Sequence, residues 1–197
     1  MGVSYPPEPW DLHGQAVASM FLVPVRSLPA PPPGTRVVSV AGRAVVTAAF
    51  FRYEEPSPLV YDEVMATVLV RRGVRPRVWI PWIWVDSEAS RDGGRALWAI
   101  PKDLARFDVE PGRRHRGDGL ASVEVARTVG LPGRWPLSFR VVQRRGGRSV
   151  VTSVSGRLRA QLLRTSWTFS GPLSLLAGRR PVVSVRASRF RLLFGRG

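Results

Sequence analysis

The chain contains a single lysine. Of its 30 basic residues, all but Lys102 are arginine. A composition that favours arginine puts it wherever charge alone serves, but arginine stays protonated and cannot act as an amine nucleophile. Lys102 is therefore the one side chain able to form an imine with a carbonyl compound. That chemistry requires the neutral amine. A free lysine, with a pKa of about 10.4, is neutral in only about one molecule in a few thousand at pH 7. Burial among apolar groups lowers the value, because the charged form loses its water. Trp98, Ile100 and Pro101 crowd Lys102 in the segment GGRALWAIPKDLARF, Gly93 to Phe107, so an enclosed amine is expected. Asp103 follows it directly. Adjacent strand residues face opposite sides, so Asp103 is expected to point away and burial alone to tune Lys102.

Imine chemistry also needs a group that moves protons. Glu63, in the segment YDEV (Tyr61–Val64), is a candidate whose role rests on the family resemblance described below, since a strand carboxylate as readily faces solvent or pairs with arginine. Other chemistries are poorly supplied. There is no cysteine, and the two histidines, His13 and His115, lie far apart. Disulfide and cysteine-metal sites are excluded, and no spacing suggests a zinc site. No metal and no organic cofactor is expected.

The elements that must position these groups read as strands. Residues 1–35 are rich in proline and are expected to form an irregular arm packed on the domain, anchored by Trp10 and Met20–Val23. Residues 36–197 are expected to form one domain. Short apolar, β-branched and aromatic runs recur there, at Val37–Val40, Ala44–Phe51, Tyr61–Val70, Val78–Val85, Leu104–Val109, Ala121–Val129, Leu137–Gln143, Ser149–Ser155, Val182–Val185 and Phe190–Phe194. Pro81 within VWIPWIWV implies a bulge or an edge. Asp86–Gly94 breaks the strand pattern with room for one helical turn, Ala96–Ile100 is a short apolar strand, and Leu158–Phe169 allows helix or strand. The rhythm predicts a mainly β, β-rich α+β fold with few short helices, an antiparallel barrel or sandwich. It lacks the strand–helix alternation of a lysine aldolase barrel.

The net charge of +16 invites a nucleic-acid reading. The arginine clusters, however, sit with glycine in RRGVRPR, GRRHRGDG, RRGGR and AGRR, which marks loop tips more than one recognition helix. No zinc-finger, basic-zipper or RNA-binding aromatic signature accompanies them, so nucleic acid is not the expected partner. The apolar stretch Ala16–Val25 is preceded by Glu8 and Asp11 and by no basic residue, unlike a signal peptide. No apolar run reaches the length of a membrane span. A cytoplasmic chain without a membrane partner is expected.

The segment GRALWAIPKDLARF resembles the glycine–arginine to Pro-Lys-x-Leu segment of the acetoacetate decarboxylase-like family, and YDEV resembles that family's Tyr-x-Glu strand. The spacing from Glu63 to Lys102 fits the pattern. Trp82–Asp86 looks like the family's middle strand, and RTSWTFSGP (Arg164–Pro172) is similar to a late strand there. The resemblance implies a cone-like β-barrel, a Schiff-base lysine in its interior, and homo-oligomers. It implies Lys102 and Glu63 as catalytic residues, with Tyr61, Trp98 and Arg95 lining the substrate site, Arg95 also supporting its turn. The implied activity is decarboxylation of a small β-keto acid through a Lys102 imine. Alternatives are aldolase or dehydratase chemistry through the same imine, or a non-catalytic small-molecule-binding barrel. The second lysine that follows the first in family decarboxylases is here Asp103, and the basic residue of the N-terminal strand region has no counterpart between Leu12 and Val25.

Overall fold

The computed structural model describes residues 4–195. Its first strand, β1 (Trp10–Pro24), buries Trp10 and Leu12, then, past a register shift between Gly14 and Ala16, Ala16, Val17, Ser19, Phe21 and Val23. This corrects the expectation of an irregular arm over residues 1–35. The prolines flank the strand rather than interrupt it, and β1 lies between two long partners in the sheet.

The chain continues through β2 (Arg36–Val37), β3 (Ser39–Val40), β4 (Arg43–Glu54), β5 (Tyr61–Arg72) and β6 (Arg75–Val85). Helix α1 (Glu88–Trp98) follows, then β7 (Asp103–Leu104), β8 (Phe107–Glu110), β9 (Arg114–Gly117), β10 (Ala121–Gly130), β11 (Trp135–Arg145), β12 (Arg148–Phe169) and β13 (Val183–Phe194). The segment of open type, Leu158–Phe169, is strand, and it joins Ser149–Ser155 in the single 22-residue β12. The register between β5 and β6 shifts across Ala66 and Val68, where β6 carries one extra residue beside Pro81. That is the expected bulge.

The sheet runs β11-β6-β5-β4-β1-β13-β12, and pairing of β11 with β12 closes it into a ring. Every contact in the ring is antiparallel except the single parallel bridge Val141–Val78 between β11 and β6. The far half of β12 pairs instead with β10, and β9 and β8 extend that flap. The result is the β-rich barrel expected, with α1 the one α-helix among the described residues. No helix among the described residues is long and apolar enough to cross a membrane.

Two apolar clusters occupy opposite faces of the β1-β4-β5-β6 wall. One lies under the flap and gathers Phe21, Phe50, Val64, Val68, Val123 and Leu173. The other is the barrel interior, where all strands of the ring contribute, among them Trp10, Tyr53, Tyr61, Ile83, Val141 and Phe190. The period-2 alternation of β5 sends Val64 to the first cluster and Tyr61 to the second. Glu63, two residues along from Tyr61, shares its face.

Under the flap, His115 is buried and stacks on Phe50 at 5.7 Å between ring centroids. Its Nδ1 has no hydrogen-bond partner among the described residues. Burial, with the cationic Arg186 and Arg52 nearby, pushes the imidazole down to about 4. An unfolded histidine titrates near 6.5, so it takes up a proton where the native one does not. This stability is complete above about pH 6.5 and is lost as pH falls toward about 4. The gap is worth up to about 3 kcal/mol. A His115→Phe variant should show a flatter loss of stability between pH 7 and pH 4 in urea denaturation than the parent protein.

Candidate active site

Lys102 does not sit on a strand. It follows the C-terminus of α1, whose geometry aims it inward. The helix begins at Ser87, whose side chain accepts a hydrogen bond from the Ser90 amide at 3.2 Å. It ends at Ala99, which takes the left-handed conformation (φ 57°), with the Ile100 amide bonding back to the Gly94 carbonyl at 3.0 Å. Pro101 then leads directly to Lys102. This helix replaces the single turn and short strand expected over residues 86–100. Gly93 and Gly94 make the segment a poor helix former, yet both are forced by packing. A Cβ on Gly93 would lie 2.7 Å from the Trp10 ring, and one on Gly94 would lie 2.9 Å from Cδ of Lys102.

The lysine side chain crosses the face of the helix that Gly94 leaves open and enters the barrel. It is 4% exposed, and Glu63 is 2% exposed. Its Nζ donates to Glu63 Oε2 at 2.8 Å, to Ser90 Oγ at 2.9 Å and to Tyr61 Oη at 3.2 Å. An ammonium has three protons to donate, and all three have partners. The Tyr53 hydroxyl donates to the other carboxylate oxygen, Oε1, at 3.1 Å. Burial raises both phenols, Tyr53 well above its ordinary value, with the Glu63 charge adding to the effect. Both hydroxyls therefore stay protonated at neutral pH.

Burial pulls the Lys102 pKa down, but the Glu63 charge, Tyr61 and the hydrogen bonds to both outweigh it, and the net value lies above that of an ordinary lysine. The expectation that burial alone tunes this amine is thus corrected. The resting site is an ion pair, Nζ to Oε2 at 2.8 Å. Asp103 takes no part: its side chain is largely exposed and lies 3.6 Å from Arg95.

A cavity of about 50 Å³ opens beside the pair. That exceeds the roughly 10–15 Å³ a cavity needs to admit a water molecule. Tyr61, Glu63, Trp98 and Lys102 all line it, together with Trp10, Leu12, Tyr53 and several aliphatic side chains. Trp98 stacks edge-on with Trp10 and Phe194, and its indole nitrogen donates to Glu8 Oε2 at 2.9 Å. Arg95 is the exception among the residues expected to line the site. Its side chain is half exposed and does not reach the cavity; its Nε instead donates to the Lys102 carbonyl at 2.6 Å. The last turn of α1 points it outward, so it braces the turn and contacts no substrate space.

Two site residues were not foreseen, Ser90 and Tyr53. Read as helix, the segment puts Ser90, Gly94 and Trp98 at i, i+4 and i+8, on one face. Tyr53 lies directly opposite Tyr61 in the β4–β5 register. Replacing Gly94 by alanine should raise helix propensity and yet displace the lysine. The expected outcome is a folded protein, by circular dichroism, whose imine formation is about 100-fold slower, the scale of loss for a displacement of about 1 Å at a reacting group.

The barrel, its enclosed lysine and the paired carboxylate define a class. The acetoacetate decarboxylase family model matches residues 31–169, and the chain belongs to that family. Among solved structures, acetoacetate decarboxylase from Legionella pneumophila superposes with a TM-score of 0.71 at 16% identity, over 98% of this chain and 88% of that one. An acetoacetate decarboxylase-like enzyme from Sphingomonas wittichii RW1 superposes with a TM-score of 0.61 at 17% identity, over 99% and 97%. The enduracididine biosynthesis enzyme MppR, complexed with pyruvate, gives 0.59 at 18% identity, over 98% and 90%. These likenesses are of fold. No curated protein matches the chain in sequence.

Proposed function

We propose that this protein is an imine-forming enzyme, a carbon–carbon lyase of the acetoacetate decarboxylase type, with Lys102 as its nucleophile. One observation carries the reading: the only lysine of the chain is buried beside a small, mostly apolar cavity with its Nζ 2.8 Å from a buried carboxylate. An arginine-rich surface protein has no use for such an arrangement, and a plain binding barrel has no need of a buried ion pair, which costs several kcal/mol in desolvation per ion before its attraction is counted.

The steps follow from the contacts. The Lys102 ammonium gives a proton to Glu63, and the amine's lone pair attacks the carbonyl carbon. The carbinolamine oxygen takes protons and leaves as water, which yields the iminium and returns Glu63 to carboxylate. The iminium then draws electrons from the neighbouring carbon. Loss of carbon dioxide from a β-keto acid, or of an α-proton to Glu63, gives the same enamine. Ser90 and Tyr61 hold Nζ through proton transfer, and Tyr53 holds the carboxylate. MppR has also been described with the condensation product of pyruvate and imidazole 4-carboxaldehyde, so condensation as well as decarboxylation is in keeping with this fold.

Reductive trapping tests the reading. Incubation with acetone, pyruvate or acetoacetate and cyanoborohydride should add one alkyl group, mapped by mass spectrometry to the Lys102 peptide. The reading fails if no carbonyl compound modifies Lys102.

A further inference from the structure

We propose that the cleft between β6 and β11 is a second binding site, suited to a phosphorylated organic molecule. It lies where the ring is held by the least pairing. β6 and β11 meet at the single parallel bridge Val141–Val78. Residues 75–78 of one strand and 138–140 of the other line an open cleft there of about 450 Å³. A second hollow, of about 580 Å³, adjoins it around the β5–β6 turn. It shares Arg75, Arg77 and Arg140 with the first and adds Arg72. Neither hollow has a lining residue in common with the Lys102 cavity, so this site stands apart from the imine reading.

Arg72, Arg75, Arg77 and Arg140 thus border one small space, and no carboxylate lines it. Among the described residues none of the four takes part in an ion pair. Arginines of a solvated turn would explain the sequence RRGVRPR, and Arg71 fits that description: its Nη1 donates to the Gly73 carbonyl at 2.9 Å. Arg77 does not. It is half-buried, its Nη1 donates to the Pro76 carbonyl at 2.7 Å, and its Nε is buried without a hydrogen-bond partner among the described residues. Burial, then the like charges of Arg140, Arg75 and Arg72, hold its pKa below the ordinary arginine value. Crowded like charges and an orphaned donor both work against the fold. An anion in the cleft offsets the repulsion.

The lining also indicates the chemical class of that anion. Arginine's planar fork matches the paired oxygens of phosphate and carboxylate. Several cations around one hollow call for more than a single negative charge, and a phosphoryl group carries about two near pH 7. Leu69, Val78 and Phe139 supply apolar surface among the arginines. That surface suits the organic part of a ligand and gives inorganic phosphate nothing to bury. The volume of the cleft falls within the roughly 300–1,000 Å³ usual for small-molecule sites.

The test is calorimetric titration of the full chain with ADP at low ionic strength, beside adenosine, inorganic phosphate and a short single-stranded oligonucleotide. ADP should bind, inorganic phosphate more weakly, and adenosine not measurably. Arg75→Gln with Arg140→Gln changes two exposed side chains of the cleft and should weaken ADP at least about 10-fold, the scale of one lost charge-assisted hydrogen bond. Arg106→Gln with Arg113→Gln removes the same charge from two exposed arginines that line neither hollow, and should leave ADP affinity within about twofold. Circular dichroism should show both variants folded. Failure of ADP to bind, or equal weakening by the two double variants, would overturn the site, the latter by showing attraction to net charge alone. Oligonucleotide binding tighter than that of ADP and lost in the cleft variant would overturn the small-molecule assignment in favour of a nucleic-acid surface.

Discussion

Lys102→Met should abolish side-chain adduct formation with every carbonyl compound, leaving only the α-amino group to react, and reduce any turnover by at least about 10⁴-fold. No second lysine exists to substitute for it, and the neighbouring arginines stay protonated. The variant should also be less stable. Glu63 would remain buried with only Tyr53 donating to it, and removing one partner of a buried ion pair costs about 3–5 kcal/mol. The double variant Lys102→Met with Glu63→Gln should recover most of that loss, because no unpaired charge is left behind. Chemical denaturation of the two variants, beside trapping assays, separates the loss of the nucleophile from the loss of stability. Residual turnover, or an adduct on any side chain, in Lys102→Met would assign the chemistry elsewhere.

Glu63→Gln should have the second largest effect, and in two directions at once. In the parent protein, burial lowers the Lys102 pKa and Glu63, with Tyr61, raises it, with the raising contributions ahead. A neutral amide removes the largest of those, so burial should dominate and the pKa should fall below that of a free lysine. The amine is then neutral at lower pH, and the pH at which trapping begins should move down. Proton transfer to and from the α-carbon should nevertheless slow by about 10²–10⁴-fold, the usual contribution of a positioned acid–base group. Exchange of acetone protons with D₂O reads this directly. The sign of the stability linkage follows from the same pair. A lysine held above its unfolded value stabilises fully below about pH 10.4 and loses that contribution as pH rises through the folded value. The parent protein should therefore lose stability at alkaline pH more steeply than Glu63→Gln.

Much of this site could be read from residue order alone. The lone lysine, its apolar flanks and the Tyr61–Glu63 alternation placed three of the central groups. What the sequence hid is instructive in physical terms. Each glycine inside a helix costs about 1 kcal/mol relative to alanine, so Gly93 and Gly94 argue against α1. Only the approach of Trp10 and Lys102 explains them, and that approach is a tertiary fact. With α1 went Ser90, whose place on the lysine's side of the helix depends on helical spacing. The prolines around β1 suggested an irregular arm, although buried residues alternate between Pro9 and Pro24. Closure of the barrel rests partly on Val141 meeting Val78, a long-range contact with no local signature. The same holds for the lysine's charge state. Its apolar neighbours in sequence announce desolvation, but the carboxylate that overrides it lies on another strand.

Because there is one lysine, protein labelled with ¹⁵N at the lysine ε position gives one side-chain nitrogen resonance, and its pH titration tests the buried pair most directly. The predicted midpoint lies above that of a free lysine, drops below it in Glu63→Gln, and in the parent protein the signal converts to that of an iminium when acetone is added. A resonance that titrates like a free amine, is indifferent to Glu63→Gln and does not respond to acetone would contradict the account.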